Sequence, residues 1–159
     1  MGSMLELRPM TPESFRRFLD HAVPQYAAEK VRSGEWSAQE AQARGEGEFR
    51  MLLPRGTDTP DHFLFDLHDA HAAQDVGVLW YTLRNNPQGI SAFVYEVEIL
   101  ENHRRRGYAT QTFALLEQDA SARGAASIQL HVFGHNHAAR ALYEELGFSP
   151  TNLMLRKDI

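Results

Sequence analysis

The chain has 159 residues, a formal net charge of −5 and no cysteine. That length suits one domain, residues 1–159, with room for a proper core, and the missing cysteines exclude disulfides, thiolate metal sites and a cysteine nucleophile. The acidic balance argues against general nucleic-acid binding, and neither a membrane-length apolar run nor a secretion signal is visible, so a cytoplasmic protein is expected.

Met1-Gly2-Ser3 reads as a cloning remnant, with Met4 the natural start. Leu5-Glu6-Leu7-Arg8 alternates and predicts a first strand. Thr11-Pro12-Glu13 is a helix start: a capping hydroxyl, proline at the first helical position, then an acid. Phe15, Phe18, Leu19 and Ala22 share one face; Pro24 is expected to interrupt, with a second helical piece running to about Ser33-Gly34. Ser37-x-x-Glu40 has the spacing of a capping box and predicts another helix through about Leu53, although Gly45 and Gly47 weaken it.

His62–Leu67 and Val76–Leu83 predict a hairpin pair, Asn85–Gly89 a turn, and Phe93–Ile99 a further strand. Ala109, Phe113, Leu116 and Ala120 form the stripe of a helix that stops at Gly124. A strand over Ser127–Phe133 follows. Then comes a helix lined by Ala139, Leu142 and Leu146 and ended by Gly147, and a last strand covers about Leu153–Arg156. Strands first, then strand–helix–strand–helix–strand, give an α/β (α+β) fold with a sheet of mixed direction.

The most informative segment is Arg104-Arg105-Arg106-Gly107-Tyr108-Ala109, between the Phe93–Ile99 strand and the helix after it. The first N–H groups of a helix lack partners within the helix, and its dipole places positive charge there. Gly107 allows a sharp turn and a close approach of phosphate to the backbone, and arginines add forked donors. No Gly-Lys-Ser/Thr follows, so this is no nucleotide P-loop, and the first turn glycine of a dinucleotide fingerprint is absent.

Arg104-x-x-Gly107-x-Ala109 resembles the Gln/Arg-x-x-Gly-x-Gly/Ala loop of the GNAT acetyltransferases. A second block of that family is matched by Asn136-x-x-Ala139-x-x-Leu142-Tyr143 followed by Gly147-Phe148. The resemblance is firm over Phe93–Phe148, and the first half is similar to small bacterial one-domain members around Tyr26–Lys30 and Leu52–Gly56. It implies the GNAT acyl-CoA N-acyltransferase fold, a twisted mixed sheet of about six to seven strands flanked by about four helices. It also implies an acetyl-CoA-dependent N-acetyltransferase that acts on a primary amine by direct attack in a ternary complex, as a monomer or homodimer. A non-catalytic acyl-CoA-binding module on the same fold is the alternative.

By the same resemblance, Arg104, Arg105, Arg106, Gly107, Tyr108, Ala109 and Thr110 hold the pyrophosphate, mostly through main-chain N–H. Val97, Glu98 and Ile99 offer backbone groups to the pantetheine arm, as an added strand would. Asn136, Ala139 and Arg140 line the same ligand, Asn136 also capping the last helix. Tyr143 matches the tyrosine that protonates the CoA sulfur; a phenol of pKa about 10 suits that task, and a packed, hydrogen-bonded tyrosine is the other reading. For the base, Glu96 and Glu98 lie two apart and share one side of a regular strand, as a paired site or as a solvated face. His131, five before Asn136, takes the position of a catalytic histidine in similar peptide N-terminal acetyltransferases, or packs between sheet and helix. His135-x-His137 and His68-x-x-His71 have tolerable metal spacings but no third ligand, so no metal is expected.

Overall fold

The computed structural model describes residues 4–159, so the expected remnant at Met1–Ser3 lies outside the described residues. Five strands form one sheet: β1 (Leu5–Pro9), β2 (His62–Asp69), β3 (Gln74–Asn86), β4 (Gly89–Ile99) and β5 (Ala125–Leu130). Their spatial order is their chain order, and neighbours are antiparallel except β4 and β5, which run parallel. Four α-helices accompany them: α1 (Pro12–Arg32), α2 (Ala41–Leu52), α3 (Tyr108–Ala122) and α4 (His137–Glu145).

The sheet therefore has five strands rather than six to seven. The expected strand at Leu153–Arg156 is irregular and exposed, because an alternating segment becomes a strand only where a neighbour takes its backbone hydrogen bonds. The strand expected over Ser127–Phe133 instead spans Ala125–Leu130, ending where its neighbour β4 stops pairing with it at Val94↔Leu130.

Thr11 caps α1 as expected: its hydroxyl accepts from the Ser14 N–H at 3.0 Å, and the Ser14 hydroxyl accepts from the Thr11 N–H at 3.0 Å. Pro24 does not interrupt this helix, which is continuous. Proline removes one N–H from the ladder. Against that loss stand Phe18, Ala22 and Val23 before it and Ala27 after it, all buried. The Ser37–Glu40 capping box does not form; Glu40 is the N-cap of α2 and makes no side-chain cap bond. Packing sets that helix start instead, with Trp36 and Ala41 buried and the Trp36 ring edge-on to Tyr26 at 5.6 Å.

Each sheet face carries a core. Phe18, Ala22, Val23, Phe49 and Leu53 of the α1–α2 layer pack on Leu64 and Trp80. On the other face Phe113, Leu116 and Ala120 of α3 pack on Leu67, Val76, Leu79, Tyr81, Ala92 and Val94, with Tyr143, Leu146 and Phe148 at the margin. Gly77 lets β3 and β4 approach closely: a Cβ there would fall 2.1 Å from the Glu98 carbonyl oxygen. Among the described residues no helix is long and apolar enough to cross a membrane.

Candidate active site

The parallel pair β4–β5 opens a slot. Pairing holds from Ile90↔Ala125 to Val94↔Leu130 and then stops. Tyr95 is an extra residue in the β3–β4 register, because Trp80 faces Glu96 while Tyr81 faces Val94. Beyond that bulge, Glu96, Val97, Glu98 and Ile99 keep β3 on one side and have no strand on the other. Open backbone of this kind accepts an amide-bearing ligand as an added strand. The side chains of Val97 and Ile99 pack into the α3-side core, so their part toward a ligand falls to the main chain.

At the end of β4 the chain turns into α3. Arg105 (φ 64°) and Gly107 (φ 78°) are both left-handed, and Gly107 is the N-cap of α3, with no side-chain cap. A Cβ on Gly107 would meet nothing within 4 Å, so glycine is needed there for its conformation, and the space beside it is open. The N–H groups of Tyr108, Ala109 and Thr110 begin the helix and lack acceptors one turn back. The arginines differ in their partners. Arg104 Nε donates to the Ile99 carbonyl at 2.9 Å, and its Nη2 lies 3.7 Å from Glu98. Arg105 is exposed and makes no hydrogen bond or ion pair among the described residues. Tyr108 turns inward: its buried hydroxyl donates to Asp69 Oδ2 at 2.6 Å, while Asp69 Oδ1 accepts from the N–H groups of His71 and Ala72. The Tyr108 hydrogen bond, then that of Ala72, holds the Asp69 carboxyl below its usual range. The Tyr108 side chain thus pins the loop to the β2–β3 turn.

Glu96 and Glu98 do point to one side, toward α1. Glu98 Oε1 is 2.9 Å from His21 Nε2, and Glu96 feels the same imidazole. Burial first, then the Glu98 charge, push the Glu96 carboxyl from 4.5 up to about 7 against the opposing His21. Tyr143, on α4, lies close enough to feel the Glu96 charge. Its ring is edge-on to Phe113 at 5.7 Å and tilted against Phe148 at 5.7 Å. Burial first, then Glu96, raises its phenol pKa above 10.0, so it stays a proton donor at neutral pH. Its hydroxyl makes no hydrogen bond to protein among the described residues. The structure therefore brings Glu96, Glu98 and Tyr143 together.

His131 belongs to another cluster. It is exposed just past β5, edge-on to Phe133 at 5.0 Å, and its charge acts on Glu35 of the α1–α2 connection. His135 hydrogen-bonds Glu29 of α1 through Nε2. Asn136 caps α4 as expected, its Oδ1 accepting from the Ala139 N–H at 3.2 Å, and Arg140 donates to the Gly134 carbonyl at 3.3 Å. Sequence reasoning missed His21 and the Tyr95 bulge. Neither has a local signal: His21 is 77 residues from Glu98 in the chain, and the bulge contains no glycine. A cavity of about 410 Å³ between α1 and α2, lined by Phe15, Leu19, Asp20 and Glu46 among others, holds none of the expected site residues. No group of three or more His, Asp or Glu side chains able to hold a metal ion occurs among the described residues.

The acetyltransferase (GNAT) family model matches residues 20–148. The uncharacterised N-acetyltransferase YycN of Bacillus subtilis (strain 168) is 39% identical over 153 residues, covering 96% of this chain and 97% of its own. YdgE of the same organism, also an uncharacterised N-acetyltransferase, is 32% identical over 154 residues, with 96% and 97% covered. The crystal structure of YycN superposes with a TM-score of 0.91 over 98% of this chain and 99% of that one. AAC(6')-Iy in complex with the bisubstrate analogue CoA-S-monomethyl-acetylneamine has TM-score 0.62 at 16% identity, covering 99% and 100%, a likeness of fold alone. A left-handed loop at a helix start, a strand pair that parts beside it, and relatives matched end to end agree: this chain belongs to the GNAT family and is an acetyl-CoA-dependent acetyltransferase.

Proposed function

We propose that the enzyme, as one domain, moves the acetyl group of acetyl-CoA onto a primary amine by direct attack in a ternary complex. The observation that carries this reading is the pairing of half-buried Glu96, pushed up to about 7, with Tyr143 beside the β4–β5 slot. In the slot, the Val97–Ile99 backbone would hold the pantetheine arm. Arg105 and the N–H groups of Arg106 to Thr110 would hold the pyrophosphate, with Asn136, Ala139 and Arg140 alongside. Glu96 takes the proton of the attacking ammonium, directly or through water. The N–C bond forms, the attacking nitrogen releases its second proton to solvent, the C–S bond breaks, and Tyr143 protonates the leaving thiolate and is itself reprotonated from solvent. A carboxylate near pKa 7 suits base work at neutral pH, where an alkyl ammonium of pKa about 10.4 is almost wholly charged.

The carboxylates of Glu96 and Glu98, on one side of β4, favour a cationic acceptor. The cysteine-free chain also suits a reducing compartment, and the reading places the enzyme in the cytoplasm.

A panel of primary amines with acetyl-CoA, followed by thiol release, tests the reading. Turnover is expected with at least one polyamine, aminoglycoside or peptide amine. CoA binding without thiol release across the panel would leave a binding module and sink the proposal. The base is tested by pH–rate profiles. Glu96→Gln should lose the acidic limb near pH 7, while His131→Ala keeps it; the reverse pattern assigns the base to His131, and an unchanged limb in both leaves Glu98 or a held water.

A further inference from the structure

One arginine outside the phosphate loop is held in place without a counter-charge. Trp80, Thr82 and Arg84 alternate onto one face of β3. The Arg84 guanidinium lies 3.8 Å from the ring centroid of Phe93 and 5.6 Å from that of Tyr95. Its Nη2 donates to the Tyr95 hydroxyl at 2.9 Å. Arg84 is exposed and makes no ion pair among the described residues. A guanidinium fixed by rings and one hydrogen bond keeps its other donors aimed, so little freedom is lost when an anion arrives.

The rings beneath it are continuous with the candidate site. Phe93 faces Thr82 across the ladder, Glu96 faces Trp80 and Glu98 faces Val78, so all three lie on the face that carries Arg84. Tyr95, the bulge residue, joins them, stacked on Trp80 at 4.5 Å and on His62 at 5.9 Å, with Phe93 edge-on at 5.0 Å. His62 Nδ1 accepts from Trp80 Nε1 at 3.0 Å, and burial, more than any neighbour, holds the His62 pKa below 6.5. That imidazole is therefore neutral at pH 7, and Arg84 is the cation of this ring cluster. The face thus runs from two carboxylates, over Tyr95, to an unpaired guanidinium. Phe93 and Glu96 set the span between the two ends at roughly 7–10 Å.

We propose that Arg84, seated on Phe93 and Tyr95, receives a carboxylate of the acceptor, whose amine lies at Glu96 and whose apolar or aromatic middle covers Tyr95. The inference rests on the reading of Glu96 as the base and names the acceptor class: an amine that also bears an acid. A planar fork matches a carboxylate, and a second ammonium at the same point meets a like charge. A peptide amine with a carboxylate at that distance is thereby favoured over a polyamine.

The probes are 4-(aminomethyl)benzoate, benzylamine and p-xylylenediamine, which share a ring and one amine and differ at the far end. Calorimetry in the presence of CoA should show the benzoate binding the wild-type enzyme about 10-fold or more tighter than benzylamine. Arg84→Gln should bring the two affinities together, and Arg84→Glu should reverse the order, with p-xylylenediamine the tightest. Arg84 is exposed, so the fold of both variants, checked by circular dichroism, should persist. Thiol release from acetyl-CoA with the same amines separates the two readings. Preferred binding of the benzoate without thiol release would uphold the Arg84 subsite and sink acetyl transfer to such amines. Equal kcat/KM for the benzoate and benzylamine would uphold transfer and overturn the subsite. Equal affinities in the wild type, absent binding of both included, or a preference that survives Arg84→Gln would also overturn it.

Discussion

The slab of β1–β4 with α1–α3 and the unit of β5, α4 and tail are built to different densities. In the slab, Leu67, Val76, Leu79, Tyr81 and Leu116 are wholly buried, and its hydrogen bonds join distant elements, as Tyr108 joins Asp69. The C-terminal unit reaches the core through partly buried residues such as Ile128, Tyr143 and Phe148. The candidate site spans the two. Glu96, Glu98 and the phosphate loop rest on the rigid slab, whereas Tyr143 and the Asn136 cap rest on the lighter unit. Burial in the slab raises the Glu96 pKa, while the Tyr143 ring packs at the core's margin. Function and packing therefore divide along the same line.

The largest effect expected is on chemistry carried by the slab. Glu96→Gln should lower kcat/KM near pH 7 by on the order of 10³-fold, within the range for one positioned acid–base group. The same residue has a stability signature. Its folded pKa of about 7 exceeds its ordinary 4.5, so between those values the folded state binds more protons and stability falls as pH rises. The whole shift amounts to on the order of 3 kcal/mol, lost by the time pH passes about 7. Glu96→Gln should flatten that part of a denaturation-versus-pH curve; a parallel curve would mean that Glu96 is not buried as described.

Next in size is a direct comparison of the two densities. Leu116→Ala should cost about 3 kcal/mol in urea denaturation, since a wholly buried leucine leaves a cavity. Leu142→Ala on α4, half-buried, should cost about 1 kcal/mol or less in the same assay. Equal costs would break the contrast. Tyr143→Phe should lower kcat about 10²-fold while CoA affinity and melting temperature hold, because the ring packing is kept and only the proton is removed. Wild-type turnover would make Tyr143 a packing residue.

Gly107→Val forces a β-branched side chain into a left-handed turn, at a cost of about 1–3 kcal/mol. CoA affinity by calorimetry should fall by about 10-fold or more with the fold retained, and unchanged affinity would remove this loop from the donor site. The smallest effect is expected from Asn136→Ala, which deletes the α4 cap and should cost about 1 kcal/mol. A denaturation midpoint that does not move would show that the α4 start does not depend on that cap.

The sequence by itself determined the elements that local chemistry controls. Thr11, Pro12 and Glu13 carry the start of α1 within three residues. The stripe Phe113, Leu116, Ala120 carries the buried face of α3. Gly107 and the arginines mark the loop between β4 and α3, and the spacing of Glu96 and Glu98 places both on one side of their strand. Only the tertiary structure decided the rest. Pro24 stays inside a continuous helix because burial on both sides outweighs one lost hydrogen bond. Glu40 replaces the expected Ser37 cap because Trp36 and Ala41 fix the helix start by packing. His21 meets Glu98, and the Tyr108 side chain meets Asp69, across separations no periodicity encodes. The Leu153–Arg156 segment has a strand's composition and no strand's hydrogen bonds, because a strand is a property of two segments and no strand pairs with this one among the described residues.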